Sequence, residues 1–418
     1  MRNPLCGPAL LLASLFVAPA SALAAEADRD IPSRADPALV RFVQSVVESN
    51  PRVQAAQSAL NASDALRDAA SRALFNPSLD DENADIDTRA LGISQTLDWN
   101  GKRKARTAIA EFDRLAAQAE ALSTRWVVTV ELLAGLALHQ TGVDRDALAG
   151  AREQVMQDFA QLAQRRFDAG DLNQTEVALA NLAATQARIQ KATARARLAE
   201  ARQAVRNIAP RSPATEWPSL SDAMPQLARS ASDTQSLVLA LPNVVAVRRQ
   251  AESADAVVDL RRRERKPDPT ISLAGGEADG EALVGVNVSI PLFVRNRFSN
   301  ELNAAMAQRS QAQQIADDVM QRAHARLVSA AERYELSRGA WRDWKLAGQA
   351  SLTQQAIQLR RLWEAGELST TDYLVQVRQT LDVQESALEL RQALWRAWFE
   401  WLWASGQVDA WLGQGVLQ

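Results

Sequence analysis

Few residues in this 418-residue chain could perform chemistry: one cysteine, Cys6, and two histidines, His139 and His324. Thiolate catalysis, thiolate metal binding and disulfides would all need Cys6, which lies in an N-terminal segment that is expected to be removed. Each histidine stands alone on an expected helix, where such a residue is more often a packed or surface side chain than a metal ligand. There is no nucleophile elbow either. We predict no catalytic residue, no metal site and no cofactor.

Acidic residues instead recur around two glycines, Gly170 and Gly366, in two similar segments. The segments are RRFDAGDLNQTEVALA (165–180) and RLWEAGELSTTDYLVQ (361–376). A glycine lets the chain leave one helix in a left-handed conformation before the next helix starts. Polar candidates for the N-cap of each following helix are Asn173 or Thr175, and Ser369 or Thr370. Each segment is therefore predicted to be the turn of a helical hairpin.

The first residues, MRNPLCGPALLLASLFVAPASALA, have the pattern of a Sec signal peptide. Arg2 precedes an apolar run at 9–18, and residues 22–24 form a small-residue cleavage pattern. An N-terminal membrane anchor is the alternative, although the run is too short to span a bilayer comfortably. We predict that residues 1–24 are a signal peptide and that the chain is exported.

Charge and hydropathy exclude two further classes of protein. Loss of Arg2 changes the formal net charge from -3 to -4, so no basic excess suggests a nucleic-acid partner. No later run of about 20 apolar residues is seen, so no transmembrane helix is expected.

Proline placement indicates very long helices. All 15 prolines lie at or before Pro291, and none lies between Pro77 and Pro210. Residues 78–209 and 292–418 therefore lack the strongest helix breaker, and helices of about 30 residues or more are expected there. Expected helices of the second half are 242–264, 297–364 with a break near Gly348, and 370–404. Apolar residues spaced by seven, as in coiled coils, are Leu374, Leu381, Leu388 and Trp395.

Two matches in the same order indicate an internal duplication. GISQTLDWNGKRKAR (92–106) parallels NVSIPLFVRNRF (287–298), upstream of the two glycine segments. Chance similarity between alanine-rich helices does not explain the shared glycine, proline and strand pattern. The predicted regions are a first repeat at 25–208 with strands at about 77–83 and 89–98, a Pro- and Ser-rich connector at 209–235, a second repeat at 236–404 with strands at about 269–277 and 282–292, and a tail at 405–418.

The strongest strand signal is ALVGVNVSIPLF (282–293), which alternates with a period of two. One face carries Val284, Val286 and Val288, and the other carries Gly285 and Asn287. Four strands cannot close a barrel, and an open sheet cannot sit in lipid. Three chains would give twelve strands, a number found in transmembrane barrels. The alternative is a half-buried strand in a periplasmic globular domain. The acidic residues of 77–83 fit a lipid-facing strand poorly.

Together, GISQTLDWNGKRKAR, RRFDAGDLNQTEV, VGVNVSIPLF and RLWEAGELSTTDYL resemble the TolC-type outer-membrane efflux channel family. The resemblance implies a mainly α fold with a small transmembrane β part. Long coiled-coil helices would form a periplasmic α-barrel, and four strands per chain would join a trimeric twelve-stranded barrel in the outer membrane. It also implies a passive conduit that works with a periplasmic adaptor and an inner-membrane RND-type pump. The NGKR after the second strand looks closest to the CzcC-like heavy-metal branch.

The resemblance also implies roles for residues at the hairpin turns, the periplasmic tips that would close the channel and receive the adaptor. Asp372 matches a pore-facing aspartate, and three copies would form an acidic ring that attracts cations. A second aspartate of the family pattern is replaced by Val375. The alternative for Asp372 is the ordinary preference of an acid for a helix N-terminus. Positions that link neighbouring tip helices are matched by Glu176, Trp363 and Leu368, with Leu368 replacing a basic residue.

Two other features have simpler expectations. Arg166 and Arg361 can pair with acidic neighbours at the turns, namely Asp168, Asp171, Glu364 or Glu367. An aromatic cluster near the end of the chain is expected to pack in a core rather than form a membrane girdle; its members are Trp395, Trp398, Phe399, Trp401 and Trp403.

The sequence leaves three functional hypotheses. An outer-membrane efflux conduit for heavy-metal cations explains the repeat, the strands and the export signal together. The same channel could export drugs or other small molecules. A periplasmic coiled-coil adaptor or scaffold is the remaining alternative, although an adaptor is expected to have one central hairpin rather than two.

Overall fold

The computed structural model describes residues 34–85, 88–227, 234–278 and 281–413. The predicted signal peptide at 1–24, with Cys6, lies outside the described residues. So do 228–233 of the connector and 414–418 of the tail.

Helices dominate the described ranges, and two β-hairpins interrupt them. The helices are α1 (Pro37–Ser49), α2 (Pro51–Ser71), α3 (Lys102–Asp168), α4 (Gln174–Ile208), α5 (Thr234–Ala240), α6 (Pro242–Glu264), α7 (Ser299–Asp343), α8 (Gln349–Glu364), α9 (Thr370–Ser405) and α10 (Val408–Trp411). The strands are β1 (Ser78–Asp85), β2 (Thr88–Thr96), β3 (Thr270–Ala278) and β4 (Glu281–Ser289). The prediction of a mainly α fold with a small β part is confirmed.

Long helices form where proline is missing from the sequence, as predicted. Helix α3 runs for 67 residues and packs against α2, α4, α6 and α9. The predicted break near Gly348 is a π-helical segment, Trp344–Gly348, between α7 and α8. A Cβ at Gly348 would lie 2.3 Å from the Trp344 ring, so the glycine makes room for this tryptophan inside the break. The break therefore has a local steric cause of the kind that kinks helices.

The strands form one antiparallel sheet in the order β1-β2-β3-β4. Residues paired across antiparallel strands share a face, so the register divides the sheet into two different surfaces. One paired row is apolar, Leu79, Ile93, Leu273 and Val286, and the adjacent row on the opposite face is polar, Ser78, Ser94, Ser272 and Asn287. The apolar row is exposed, with Val286 at 70%.

Two observations refine the predicted strands. Asp81 of β1 lies on the apolar face, paired with Leu91. Strand β1 therefore interrupts that face with a charged side chain. Strand β4 ends at Ser289 rather than at the expected residue 292. Pro291 follows two residues later, and a proline has no N–H with which to extend the ladder.

The core lies at the middle of the molecule. Trp395, Trp398, Phe399 and Trp401 are buried there, as expected, and Trp403 packs against them. Helix α10 is tied to this core by a hydrogen bond from the Trp126 indole N–H to an Asp409 carboxylate oxygen at 2.9 Å.

Helix α3 contains an 18-residue window with a mean hydropathy of 1.4, enough by length and composition alone to cross a membrane. This corrects the expectation that no such run follows the signal peptide. Leu132, Leu133 and Leu136 of α3 are buried in the mid-molecule core, and 44% of the window is buried. The apolar composition of the helix is thus explained by core packing.

Candidate functional site at the turns of the helical hairpins

The first turn joins α3 to α4 through Gly170, which has a φ of 87°. The Gly170 N–H donates to the Phe167 carbonyl at 2.9 Å, and the Asp171 N–H donates to the Arg166 carbonyl at 2.8 Å. This pair of bonds is the Schellman motif, which satisfies carbonyls at the end of a helix.

The second turn, between α8 and α9, repeats this geometry. Gly366 has a φ of 79°. Its N–H donates to the Trp363 carbonyl at 3.1 Å, and the Glu367 N–H donates to the Leu362 carbonyl at 2.9 Å. The two predicted turns are therefore equivalent in backbone structure, which supports the duplication.

Gly170→Ala and Gly366→Ala are each expected to destabilise their turn by about 1–2 kcal/mol, the cost of a left-handed conformation for a residue with a Cβ. No atom lies within 4 Å of a Cβ built at either glycine, so the effect is conformational and not steric. Hydrogen exchange of the flanking helix ends measures it. Gly339→Ala is the control, because it places alanine inside helix α7 in open space and is expected to stabilise. Unchanged exchange at both turns would contradict the prediction.

Helix α4 begins with a capping box. The Asn173 side chain accepts the Glu176 N–H at 3.0 Å, and the Glu176 carboxylate accepts the Asn173 N–H at 3.1 Å. Of the two candidates, Asn173 is therefore the N-cap of α4 and Thr175 is not. The half-buried Glu176 side chain thus has its hydrogen-bond partner within its own chain.

Ser369 is the N-cap of helix α9, and the other candidate, Thr370, is the first helical residue. The Ser369 hydroxyl accepts the Asp372 N–H at 3.1 Å and lies 2.7 Å from the Asp372 carboxylate, to which it donates. Asp372 is exposed in the first turn, where a carboxylate is favoured by the helix dipole. Val375, one turn later, is 60% exposed.

Trp363 lies in an aromatic cluster, defined here as Phe159, Trp363 and Tyr373, that joins the two hairpins. Trp363 is 3% exposed and stacks on Tyr373 with ring centroids 4.9 Å apart. Phe159 of α3 lies 4.6 Å from Trp363 and 5.2 Å from Tyr373. Leu368 packs against the same residues. Burial raises the pKa of the Tyr373 hydroxyl. These ring contacts of Trp363 all lie within one chain.

Arg166 connects the turns in a way that differs from the prediction. Its guanidinium lies 5.0 Å from the Trp363 ring centroid and donates to the carbonyls of Trp363 and Glu364, at 3.1 and 2.8 Å. The expected ion pairs of Arg166 with turn carboxylates are thus wrong. The reason is that the Trp363 and Glu364 carbonyls, in the last turn of α8, face this side chain, and a carbonyl oxygen can accept a second hydrogen bond.

Sequence reasoning missed Phe159 and Tyr373, although a helical stripe marks both. Tyr373 lies on the buried stripe Thr370, Tyr373, Val377 and Thr380, and Phe159 on the stripe Arg152, Met156, Phe159 and Ala163. The repeat comparison misleads at this point, since Phe167, the counterpart of Trp363, is 39% exposed. A groove of about 500 Å³ lies beside the cluster and is lined by residues of α3, α8 and α9, including Arg165 and Arg360.

The histidines do not form a site with these residues. His139 packs edge-on against Trp217, with ring centroids 4.8 Å apart. Burial lowers the pKa of His139, and the nearby charge of Arg202 lowers it further. Within the described ranges, no group of three or more His, Cys, Asp or Glu side chains is placed to hold a metal ion.

A comparison with curated proteins finds a metal-resistance protein. The cobalt-zinc-cadmium resistance protein CzcC of Cupriavidus metallidurans is 27% identical over an alignment of 263 positions that covers 58% of this chain. The match covers 60% of the length of that relative. No model of a protein family matches the sequence.

Solved structures with the same fold are outer-membrane channels. OprN, described as an outer-membrane channel, superposes with a TM-score of 0.79 at 17% identity, covering 97% of this chain and 99% of OprN. The Campylobacter jejuni CmeC outer membrane channel gives 0.75 at 13% identity, covering 97% and 94%. CusC, described in terms of transmembrane channel formation, gives 0.74 at 15%, covering 89% and 93%. The fold expected from the resemblance to efflux channels is confirmed.

Proposed function

We propose, because this chain has the fold of TolC-type outer-membrane channels, that it is the outer-membrane channel of a tripartite efflux system. It is a passive conduit across the periplasm and the outer membrane, and its substrates are heavy-metal cations of the cobalt, zinc and cadmium type. The metal assignment is supported by the similarity to CzcC. The channel assignment does not depend on it.

The two-faced sheet is the observation that supports the proposal most strongly. A surface row of Leu79, Ile93, Leu273 and Val286 would be unfavourable in water, because large exposed apolar patches are rare in soluble proteins. Acyl chains can solvate that row, and water can solvate the serine row behind it. Alternation of this kind is the pattern of a transmembrane barrel wall.

Closure of the barrel requires a homotrimer. Strands β1 and β4 are the two edges of the four-stranded sheet, so each has one side without a partner strand in the chain. Such edges are not tolerated in lipid. Pairing of β1 with β4 of a neighbouring copy removes all edges when three copies close twelve strands.

The turns at Gly170 and Gly366 are then the periplasmic tips, where the adaptor docks and beyond which the RND-type pump lies. Glu176, Trp363 and Leu368 lie at this end, and the groove lined by α3, α8 and α9 is a concave surface beside them. Asp372 and Val375 form the constriction, with Asp372 in three copies as an acidic ring.

Membrane fractionation with an unheated gel tests the proposal. The full chain is expected in the outer-membrane fraction as a heat-sensitive trimer. A soluble monomer in the periplasmic extract would overturn the channel assignment and favour the scaffold alternative. A strain that lacks the chain is expected to lose resistance to zinc, cobalt or cadmium. Loss of drug resistance alone would transfer the substrate assignment to drugs.

Asp372→Asn is expected to reduce the cation-to-anion selectivity of channels reconstituted in planar bilayers by several fold, because it removes three charges from the constriction. Asparagine keeps a side-chain oxygen for the Ser369 hydroxyl, so the charge changes while the cap is retained. Glu367→Gln, an exposed acid in the same turn, is the matched control and is expected to have little effect. Reversal potentials in a salt gradient measure the ratio. An unchanged ratio leaves Asp372 only its helix-dipole role.

A further inference from the structure

The two ends of the sheet carry opposite charges. The hairpin ends are acidic in sequence, with DDENAD at 80–85 and Glu277 and Glu281 flanking the second hairpin. The opposite end, where strands meet helices, has the basic segments KRKAR at 102–106, RRRERK at 261–266 and RNR at 295–297. The fold brings these three segments together, because each one directly precedes or follows a strand of the same sheet.

Carboxylates at the end of the sheet where strands meet helices neutralise only some of these cations. Asp268 pairs with Lys102 at 2.9 Å, with both side chains nearly buried. Glu264 pairs with Arg261 at 2.6 Å. Asp259 and Asp98 are also engaged, the first by Arg263 and the second by main-chain N–H groups at the start of α3.

In these three segments, eight exposed cations have no carboxylate within ion-pair distance among the residues that the structure describes. They form what we call the basic collar: Arg103, Lys104, Arg106, Arg262, Arg265, Lys266, Arg295 and Arg297. Glu301, exposed in the first turn of α7, offsets one charge at most. In a chain whose overall formal charge is slightly negative, this is a strong local excess.

The collar is continuous with the apolar face of the sheet. Between them lie large exposed apolar residues, among them Trp99 at 76%, Leu292 at 79% and Val294 at 76%. Trp99 is two residues from Gly101 and three from Lys102, so an interfacial aromatic precedes the first basic run. Apolar strands, then an exposed tryptophan, then cations is the order in which a bilayer presents acyl chains, interface and phosphates.

A groove between α2 and α3 gives the collar a concave surface. It is lined by Arg67, Ser71, Arg103, Lys104, Thr107 and Glu111 and has a volume of about 590 Å³. Arg67 is already paired with Glu111 at 3.3 Å. The charges of Arg103 and Lys104 therefore remain available in this groove, where Ser71 and Thr107 add hydroxyls.

We propose that the basic collar binds the phosphates of anionic phospholipids in the membrane leaflet next to the helices. The proposal rests on the proposed function, since it requires the sheet to lie in a bilayer. Lysine and arginine attract anionic headgroups near a membrane surface, and the apolar residues beside the collar hold it at that depth. The lipid would fix the height of the channel in the membrane and anchor the point where the sheet meets the helices.

The test compares lipid retention by the detergent-purified full chain. The protein is exchanged with labelled phosphatidylglycerol or phosphatidylcholine, separated by size exclusion, and its lipid content is measured at low and high salt. Wild type is expected to retain phosphatidylglycerol in clear preference at low salt. The variant Arg103→Gln/Lys104→Gln/Arg262→Gln is expected to lose about fivefold or more of that preference. Arg103→Lys/Arg262→Lys is expected to keep it, and high salt is expected to weaken it.

Arg188→Gln/Arg197→Gln/Arg206→Gln, three exposed arginines on α4 away from the sheet, is the charge-matched control and is expected to behave as wild type. Equal retention of both lipids by wild type, or unchanged preference in the collar variant, overturns the proposal. The unheated gel distinguishes a failure of the lipid-binding proposal from a failure of the channel proposal. Trimers without lipid preference refute the collar alone, whereas a wild-type chain that forms no membrane trimer refutes the channel itself.

Discussion

Val286→Arg is expected to abolish stable insertion of the proposed trimer into the outer membrane. Val286 lies in the apolar row with Leu79, Ile93 and Leu273 and is 70% exposed in the isolated chain. An arginine on the lipid face of a barrel costs about 2–4 kcal/mol near the bilayer centre, and three chains place three of them there. Heat-sensitive trimers on an unheated gel and the amount in the outer-membrane fraction are both expected to fall at least tenfold.

Asn287→Arg is the matched control, because it places the same side chain one residue further along β4. Asn287 pairs with Ser272 on the polar face, which faces water in the proposed barrel. Insertion is expected to continue, with a changed ion selectivity as the consequence. If both variants insert equally well, the apolar row does not face lipid and the barrel assignment is wrong.

The alternation of 282–293 was enough to predict a strand and its two faces, but not where the strand ends. Strand β4 ends at Ser289, two residues before Pro291, which cannot donate to the ladder, while the alternation of side chains continues beyond it. A register is a long-range property, so the rows that run across all four strands could not be read from one strand. The helices were easier to predict, because proline placement is local information. The break at Gly348 was also marked locally, by the glycine itself.

At the candidate site, the backbone was predictable and the side-chain contacts were not. Gly170 and Gly366 adopt the expected left-handed conformation, since only a local signal was needed. The prediction of carboxylate partners for Arg166 was wrong, because its carbonyl acceptors come from α8, in the other repeat. The aromatic cluster was missed for the same reason: Phe159 meets Trp363 only once the two hairpins pack together.

Trp363→Ala is expected to destabilise the hairpin turns more than any other single substitution there. Truncation of a buried tryptophan costs about 3–5 kcal/mol, and the stacking with Phe159 and Tyr373 is lost as well. Arg166 also loses the ring beneath its guanidinium. Hydrogen exchange in the folded protein is the appropriate measurement, because it reports local opening at each turn without requiring reversible global unfolding. Amides at the end of α8 and the start of α9 are expected to lose most of their protection.

Phe167→Ala tests whether burial, rather than position in the repeat, determines this effect. Phe167 occupies the equivalent place before Gly170, but it is 39% exposed and is expected to cost far less. The two turns share one backbone geometry, so a difference between these variants must come from the side chains packed around Trp363. Equal losses at both positions would show that the cluster does not support the second turn. A loss confined to Trp363→Ala would identify the α8–α9 turn as the one whose order depends on contact with the other hairpin.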